Sequence, residues 1–203
     1  MVNVGILALQ GAFQEHIDML DGLGISSTVV RLPEQLTGID GLIIPGGEST
    51  TIGKLAVSYD LLSPLRRFAT EKPVWGVCAG MILLARDVGV DQPLIGVMDV
   101  RVERNAFGRQ VDSFEIDLWV DELPGGKRRP FRGVFIRAPR LTNTGIDVHI
   151  LVSVPGIGAV AARQGHWLVT AFHPELTQDT RFHHYFLGMI EAAYRDRPVT
   201  ASS

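Results

Sequence analysis

KPVWGVCAGMILLAR, residues 72–86, joins a short apolar run to a helix-like run through a turn that centres on a cysteine with a glycine on each side. The run PVWGV contains no charged residue, which is typical of a strand that is covered on both faces. MILLAR restarts a helical period directly after the turn. A buried strand that turns sharply into a helix is the repeating unit of parallel α/β folds, so this segment predicts that class.

The residues before this segment repeat the same unit. VNVGILAL, residues 2–9, is a nearly continuous apolar run, and from Ala12 onward apolar residues recur at helical spacing. SSTVVRL and DGLIIPGG read as two further strands, and residues 59–70 read as a helix. Alternating strands and helices predict a doubly wound α/β fold with a mostly parallel central sheet and helices on both faces.

After residue 94 the pattern changes to short strand-like runs separated by Pro, Gly and Asn turns: FEIDLWV, GVFIRA, VHILVSV, GAVAARQ and HWLVTAF. These runs favour antiparallel or mixed pairing, which we expect to extend the same sheet. A last helix is predicted over residues 179–194. Since no linker or repeat interrupts the chain, we expect one domain over residues 1–195 and a flexible tail over residues 196–203.

The composition excludes several functional classes. The 203 residues carry a formal net charge of −3, which offers no electrostatic footprint for nucleic acid. No apolar run is long enough to span a bilayer and the N-terminus lacks a signal-peptide pattern, so we expect no membrane association and a cytoplasmic location. No metal or cofactor is expected, because one cysteine cannot build a multi-cysteine site and the histidines lack ligand spacing. We assign structural or solvated roles to His16, His149, His166, His183 and His184.

The motif GVCAG, residues 76–80, places Cys78 between the predicted strand and the following helix. A nucleophile on such a turn is held exposed, and the flanking glycines relieve steric crowding. The helix N-terminus offers partial positive charge for a thiolate and N–H groups for an oxyanion. Cys78 is therefore a candidate nucleophile, and the alternative is a buried structural cysteine.

Two further motifs carry candidate site residues. FHPE, residues 172–175, follows a predicted strand, and in extended backbone His173 and Glu175 project to the same side as a base and its orienting acid. Both could instead be surface residues on a loop. PGGESTT, residues 45–51, follows another strand and should open onto the same crevice as Cys78. It could cradle a phosphate, but it lacks the endings of the known phosphate loops.

GVCAG with FHPE downstream resembles the class I glutamine amidotransferase family, which has a Cys-His-Glu triad and a flavodoxin-like three-layer sandwich. Further segments, spread over nearly the whole chain, resemble the glutaminase subunits of pyridoxal 5'-phosphate synthases: GILALQGAFQEH, IIPGGESTT, RNAFGRQVDSFE, FIRAP and FHPEL. The resemblance implies that the catalytic residues are Cys78, His173 and Glu175. It implies a glutamine site lined by Gly47, Glu48, Ser49, Arg104, Ile136 and Arg137, and we expect an oxyanion hole formed by Gly47 and Ala79.

The resemblance also implies an activity. Such a chain hydrolyses L-glutamine to L-glutamate and ammonia through a γ-glutamyl thioester. The ammonia passes to a separate synthase subunit, a barrel enzyme, within a hetero-oligomeric complex whose docking stimulates the glutaminase. Three alternatives stay open: a glutaminase that serves another ammonia acceptor, a cysteine hydrolase with a different substrate, and an amidotransferase-like scaffold without catalysis.

Overall fold

The computed structural model describes residues 2–104 and 113–195. The strands in these ranges are β1 (Asn3–Leu7), β2 (Ser26–Val30), β3 (Gly41–Ile44), β4 (Val74–Val77), β5 (Ala85–Asp87), β6 (Met98–Glu103), β7 (Ser113–Leu118), β8 (Phe131–Ile136), β9 (Arg140–Thr144), β10 (His149–Val154), β11 (Gly158–Gln164) and β12 (Trp167–Thr170). The α-helices are α1 (Phe13–Gly22), α2 (Ser49–Ser58), α3 (Leu62–Glu71), α4 (Ala79–Leu84) and α5 (Arg181–Arg195). The predicted tail, residues 196–203, and most of RNAFGRQ lie outside the described residues.

The central sheet confirms the predicted doubly wound α/β class. Its strand order is β2-β1-β3-β4-β12-β11-β9-β6-β5, and the first five strands run parallel. Strand β1 has β2 on one side and β3 on the other, so the strand order reverses there. Ligands of open α/β sheets bind in the crevice at such a reversal, beyond the carboxyl ends of the strands. The loops that follow β1, β3 and β4 face this crevice.

The strand pairing in the second half of the chain agrees only partly with the prediction. Strands β11 and β12 pair antiparallel, and β10 and β9 pair with β11, so they extend the central sheet. The prediction of one continuous sheet is wrong for β7 and β8, which form a separate two-stranded antiparallel sheet. This hairpin contacts the site segment instead, because the N–H of His173 donates to the carbonyl of Val134 over 2.8 Å.

The helices differ from the prediction at one place. The single helix expected over residues 59–70 is α3, and a further helix, α2, precedes it directly after PGG. The carboxylate of Glu48 caps α2, since it accepts from the backbone N–H groups of Thr50 and Thr51. The apolar stripe of α2 was missed because it consists of Ile52 and Ala56 in a segment that glycine interrupts.

Beneath the site, the core is aromatic. The ring of Trp75, on β4, is fully buried and packs against Phe182 and Phe186 of α5. Phe172, directly after β12, packs on Phe182 as well. Close packing of this kind holds the ends of β4 and β12 rigidly side by side. No helix within the described ranges combines the length and apolarity that crossing a bilayer requires.

Candidate active site

Cys78 occupies a strained turn between β4 and α4. Its φ is 48° and its ψ is −97°, a left-handed conformation that a residue with a side chain rarely adopts. A hydrogen bond of 2.7 Å from its N–H to the carbonyl of Thr170 on β12 holds the turn. The predicted strand, turn and helix are therefore present, and the strain falls on the candidate nucleophile.

The glycines of GVCAG are required by close backbone approach. A Cβ atom on Gly80 would lie 2.1 Å from the carbonyl oxygen of Ile44, at the end of β3. A Cβ on Gly76 would lie 2.5 Å from the backbone of Gly80. Either atom would push α4 away from the sheet, so this turn accepts only glycine at both positions.

His173 and Glu175 form a buried pair. The Nδ1 atom of His173 lies 2.7 Å from Oε1 of Glu175, and the Glu175 side chain is fully buried. The prediction placed both on extended backbone, whereas Pro174–Leu176 forms a short 3₁₀ turn. The turn still leaves the carboxylate within hydrogen-bond distance of Nδ1. The predicted pairing is present, although its local geometry is different.

The pair is electrostatically coupled to Cys78. Burial alone lowers the pKa of His173, but hydrogen bonding to Cys78 and Glu175 and their negative charge outweigh it and raise the pKa to about 10. The imidazole is therefore charged near neutral pH beside the sulfur. An imidazolium next to a cysteine favours the thiolate, which is the reactive form of that side chain.

The loop after β3 is fixed by the loop after β1. The carbonyl of Gly46 accepts from the N–H of Ala12 over 3.0 Å, and Gln10 Oε1 accepts from the N–H of Glu48 over 2.7 Å. Gly46 also lies against the imidazole, because a Cβ there would be 2.3 Å from Cε1 of His173. The PGG turn and the candidate base are thus in direct contact.

A pocket of about 380 Å³ opens over Cys78. The residues that line it come from six segments of the chain: Gln10, Gly11, Ala12, Gly46, Gly47, Glu48, Ser49, Cys78, Ile82, Arg104, Ile136, Arg137 and His173. All six residues that were expected to line the glutamine site lie in this pocket, together with Cys78 and His173. Ala79 and Glu175 are buried beneath the pocket rather than in its lining. Arg137 shares the left-handed conformation of Cys78, with a φ of 42°.

Charges of both signs lie in the pocket wall. Arg104 donates to Gln92 Oε1 over 3.0 Å and to Thr50 Oγ1 over 3.3 Å, and its guanidinium lies 3.4 Å from Glu48 Oε1. Hydrogen bonds, the largest from the Thr51 hydroxyl, lower the pKa of Glu48 to about 2, so this carboxylate is charged. Two arginines and one carboxylate around a small polar cavity suit an amino acid with its own carboxylate and ammonium groups.

Sequence reasoning missed several residues of this region. Gln10 holds the loop after β3, and Gln92 holds the guanidinium of Arg104. The position of Gln10 directly after β1 is a sequence signal for a site residue, whereas Gln92 has no such signal. His16 and His183 were assigned separate structural or solvated roles, yet both lie behind Glu175. They come from α1 and α5, and no local sequence pattern relates these two helices.

Within the two described ranges, no group of three or more His, Cys, Asp or Glu side chains is arranged to hold a metal ion.

A doubly wound sheet with a cysteine on a strained elbow, a buried His–Glu pair and a polar pocket defines an α/β protein of the cysteine amidohydrolase type. Comparison with known families identifies the class of protein more closely. The chain belongs to the SNO glutamine amidotransferase family, whose model matches residues 6–192.

Individual relatives match nearly the full length of this chain. A pyridoxal 5'-phosphate synthase subunit PdxT from Herpetosiphon aurantiacus is 56% identical over 193 residues, which are 93% of this chain and 100% of the relative. A PdxT subunit from Moorella thermoacetica is 55% identical over 191 residues, with 93% and 100% coverage. A crystal structure of a glutamine amidotransferase superposes with a TM-score of 0.86 at 48% identity, and the match covers 93% of this chain and 98% of that one.

Proposed function

We propose that this chain is the glutaminase subunit of a pyridoxal 5'-phosphate synthase, hydrolysing L-glutamine to L-glutamate and ammonia. The observation that carries the proposal is the single pocket in which Cys78 and His173 meet Glu48, Arg104 and Arg137. Full-length relatives at 55–56% identity, known as PdxT subunits of that synthase, support the assignment.

Cys78 is the proposed nucleophile and His173 the proposed acid and base. The thiolate attacks the carboxamide carbon of glutamine, and the imidazolium gives its proton to the departing ammonia as the C–N bond breaks. The γ-glutamyl thioester that remains is attacked by water, whose proton passes to His173 as the C–S bond breaks. Glu175 holds the Nδ1–H of His173 throughout, which keeps Nε2 directed at the sulfur.

Backbone N–H groups stabilise the tetrahedral oxyanion in this scheme. The proposed donors are those of Gly47 and Ala79, one from the PGG turn and one from the first residue of α4. The N–H of Glu48 is engaged by Gln10, so it is not a free donor. Contact between Gly46 and the imidazole keeps this turn beside the reacting atoms.

Binding of glutamine is proposed to use charge complementarity. Arg104 and Arg137 bind the α-carboxylate, and the charged Glu48 accepts from the α-ammonium. Ser49 and Ile136 complete the wall around the side chain. Because Arg104 also contacts Glu48 directly, bound glutamine would insert its two charged groups into an existing ion pair.

The ammonia acceptor is the partner in this proposal. A separate synthase subunit, a barrel enzyme, receives the ammonia within a hetero-oligomeric complex in the cytoplasm. The name of the relatives, a subunit of a synthase, supports a partner of this kind.

The deciding experiment measures glutamate release from glutamine by the purified chain, with and without a cognate synthase subunit. Strong stimulation by that subunit, and loss of activity in Cys78→Ala, are the expected results. Activity that ignores the synthase would assign the chain to another ammonia acceptor. Labelling of Cys78 by the glutamine analogue acivicin adds a second criterion: protection by free glutamine is expected, and labelling that glutamine does not slow would point to a different cysteine hydrolase.

A further inference from the structure

Two histidines that the proposed mechanism does not use lie directly behind the proposed catalytic pair. His16 of α1 and His183 of α5 are 0% and 1% exposed. His16 Nε2 lies 3.6 Å from Oε2 of Glu175, the carboxylate oxygen that faces away from His173. His16 Nδ1 lies 3.1 Å from His183 Nε2. Glu175 therefore lies between the imidazoles of His173 and His16.

One assignment of protons is consistent with the three contacts that join His173, Glu175, His16 and His183. The Nδ1–H of His173 donates to Oε1 of Glu175. The Nε2–H of His183 donates to Nδ1 of His16, which leaves the hydrogen of His16 on Nε2, directed at Oε2 of Glu175. The reverse assignment, in which the Nδ1–H of His16 donates to His183, would turn the lone pair of His16 Nε2 toward Oε2 of Glu175, so the two contacts together favour the hydrogen on Nε2.

We propose that His16 is a positioning residue: as a neutral donor to Oε2, with its Nδ1 accepting from His183, it keeps Glu175 ionised and aimed at His173. The proposal rests on the proposed function in that it assumes His173 and Glu175 serve Cys78. A carboxylate with an N–H facing each oxygen is restrained at both, whereas one held at Oε1 alone is free to rotate or to take up a proton. Among the described residues, neither Oε2 of Glu175 nor Nε2 of His16 has a formed hydrogen bond, so each is left facing the other.

The surroundings keep both imidazoles neutral. Burial lowers the pKa of His16, assisted by the charge of His173 and opposed by Glu175 and by Glu15 of α1. Burial lowers the pKa of His183 well below its ordinary value, with further lowering by His16 and His184. The edge of Trp75 closes the remaining side of both rings. A neutral donor can stabilise the carboxylate without removing the negative charge that His173 needs.

The 3.6 Å contact is longer than a formed hydrogen bond. Catalytic hydrogen bonds are often long in unliganded enzymes and shorten when substrate or transition state is bound. Both atoms are buried, so closing this gap would form the hydrogen bond that each of them lacks. The pKa of Glu175 is lowered although burial alone raises it, and the hydrogen bond and positive charge of His173 are among the causes.

The test uses the reactivity of Cys78, which needs neither glutamine nor a partner. Cys78 is the single cysteine of the 203-residue chain, so alkylation by iodoacetamide reports this sulfur alone. Rates are measured from pH 5 to pH 10 for the parent, His16→Leu, His16→Gln, His183→Leu and a control, His149→Leu. His149 also contacts a glutamate, Glu122, but on the exposed surface.

In His16→Leu, loss of the donor raises the pH at which Glu175 takes up a proton. The acid limb of the alkylation profile should move up by about one pH unit, so that alkylation on that limb slows about tenfold. His16→Gln, which retains an N–H near the same place, should stay close to the parent. His183→Leu should move the limb in the same direction by less, and His149→Leu should not move it.

A folded His16→Leu with the parent's profile would overturn the proposal, and so would equal shifts in His16→Leu and His16→Gln, since both outcomes leave only a packing role. If His16→Leu does not fold, His183→Leu decides, because it leaves His16 in place and removes the partner of its Nδ1: an unchanged acid limb in a folded His183→Leu would then overturn the proposal. Absence of glutamate release with an intact His16 effect on alkylation would reject the proposed function alone.

Discussion

Two His–Glu pairs in this molecule have the same contact distance and opposite surroundings. The buried pair, His173 and Glu175, and the exposed pair, His149 and Glu122, both have 2.7 Å between ring nitrogen and carboxylate oxygen. The Glu175 side chain is 0% exposed and that of His149 is 64% exposed. The buried pair has further partners, with Cys78 beyond the imidazole and His16 behind the carboxylate.

Contact distance alone therefore does not identify a functional site. Water and salt screen the exposed pair, so its two members interact only weakly. Desolvation forces the buried pair to satisfy its charges on neighbouring groups, which transmits a change at one group to the next. The two pairs should therefore differ in activity, stability, pH dependence and response to salt.

Glutaminase activity should separate the pairs most strongly. Glu175→Gln replaces the acceptor on the Nδ1–H of His173 with an amide that favours the wrong tautomer. In a serine protease triad the corresponding change lowers kcat about 10⁴-fold, and a loss of about 10²-fold to 10⁴-fold is expected here. Glu122→Gln should leave kcat unchanged. Glutamate release with the synthase subunit present measures both variants, and comparable activity in the two would contradict the contrast.

Breaking the buried pair should also cost more free energy of unfolding than breaking the exposed pair. His173→Leu leaves the Glu175 charge buried with one partner removed, and breaking a buried pair costs about 3 kcal/mol or more. His149→Leu breaks a surface pair and should cost less than about 1 kcal/mol. Urea unfolding at pH 7 gives both free energies. Equal losses would mean that burial adds nothing to the interaction.

The pH dependence of that loss has a defined sign. Since the folded-state pKa of His173 is raised from 6.5 to about 10, its contribution is complete below pH 6.5 and is lost as the pH rises through 10. The difference in unfolding free energy between the parent and His173→Leu should therefore shrink steadily from pH 6.5 to pH 10. Unfolding curves at half-unit pH steps test this, with His149→Leu as the control. A difference that grows over this range would contradict the raised pKa.

Salt should produce the smallest effect. The coupling between His149 and Glu122, from a double-mutant cycle with His149→Leu and Glu122→Gln at pH 6, should be about 0.2–1 kcal/mol at low ionic strength. It should fall toward zero in 1 M NaCl, where charges are screened within about 3 Å. The coupling of the buried pair should persist in the same salt. Loss of both couplings in salt would show that solvent reaches Glu175.

Much of the fold was predictable because its signals are local. The apolar runs of β1, β3 and β4 and the glycines after them indicate buried strands that end in turns. Helix α2 was missed because its stripe is short, and the separate pairing of β7 with β8 was missed because strand partners are set by tertiary contacts. A hairpin and an added edge strand have the same local pattern.

The candidate site divides in the same way. Cys78 and the PGG turn could be predicted because parallel strands bring their carboxyl ends to one edge of the sheet. Arg104, Ile136 and Arg137 came only from the family resemblance, since no spacing relates them to Cys78. His16 and His183 lie 167 residues apart in sequence, and only the packing of their helices brings the two rings together.

The contact between Gly46 and the imidazole of His173 has a mechanical consequence. With 2.3 Å between an imagined Cβ and ring atom Cε1, the turn and the ring share one surface and neither can shift inward alone. Any molecule that moves the 45–48 loop therefore also moves the ring that faces Cys78. Contact on the outer face of this loop would therefore reach the proton-carrying ring through one layer of packed atoms.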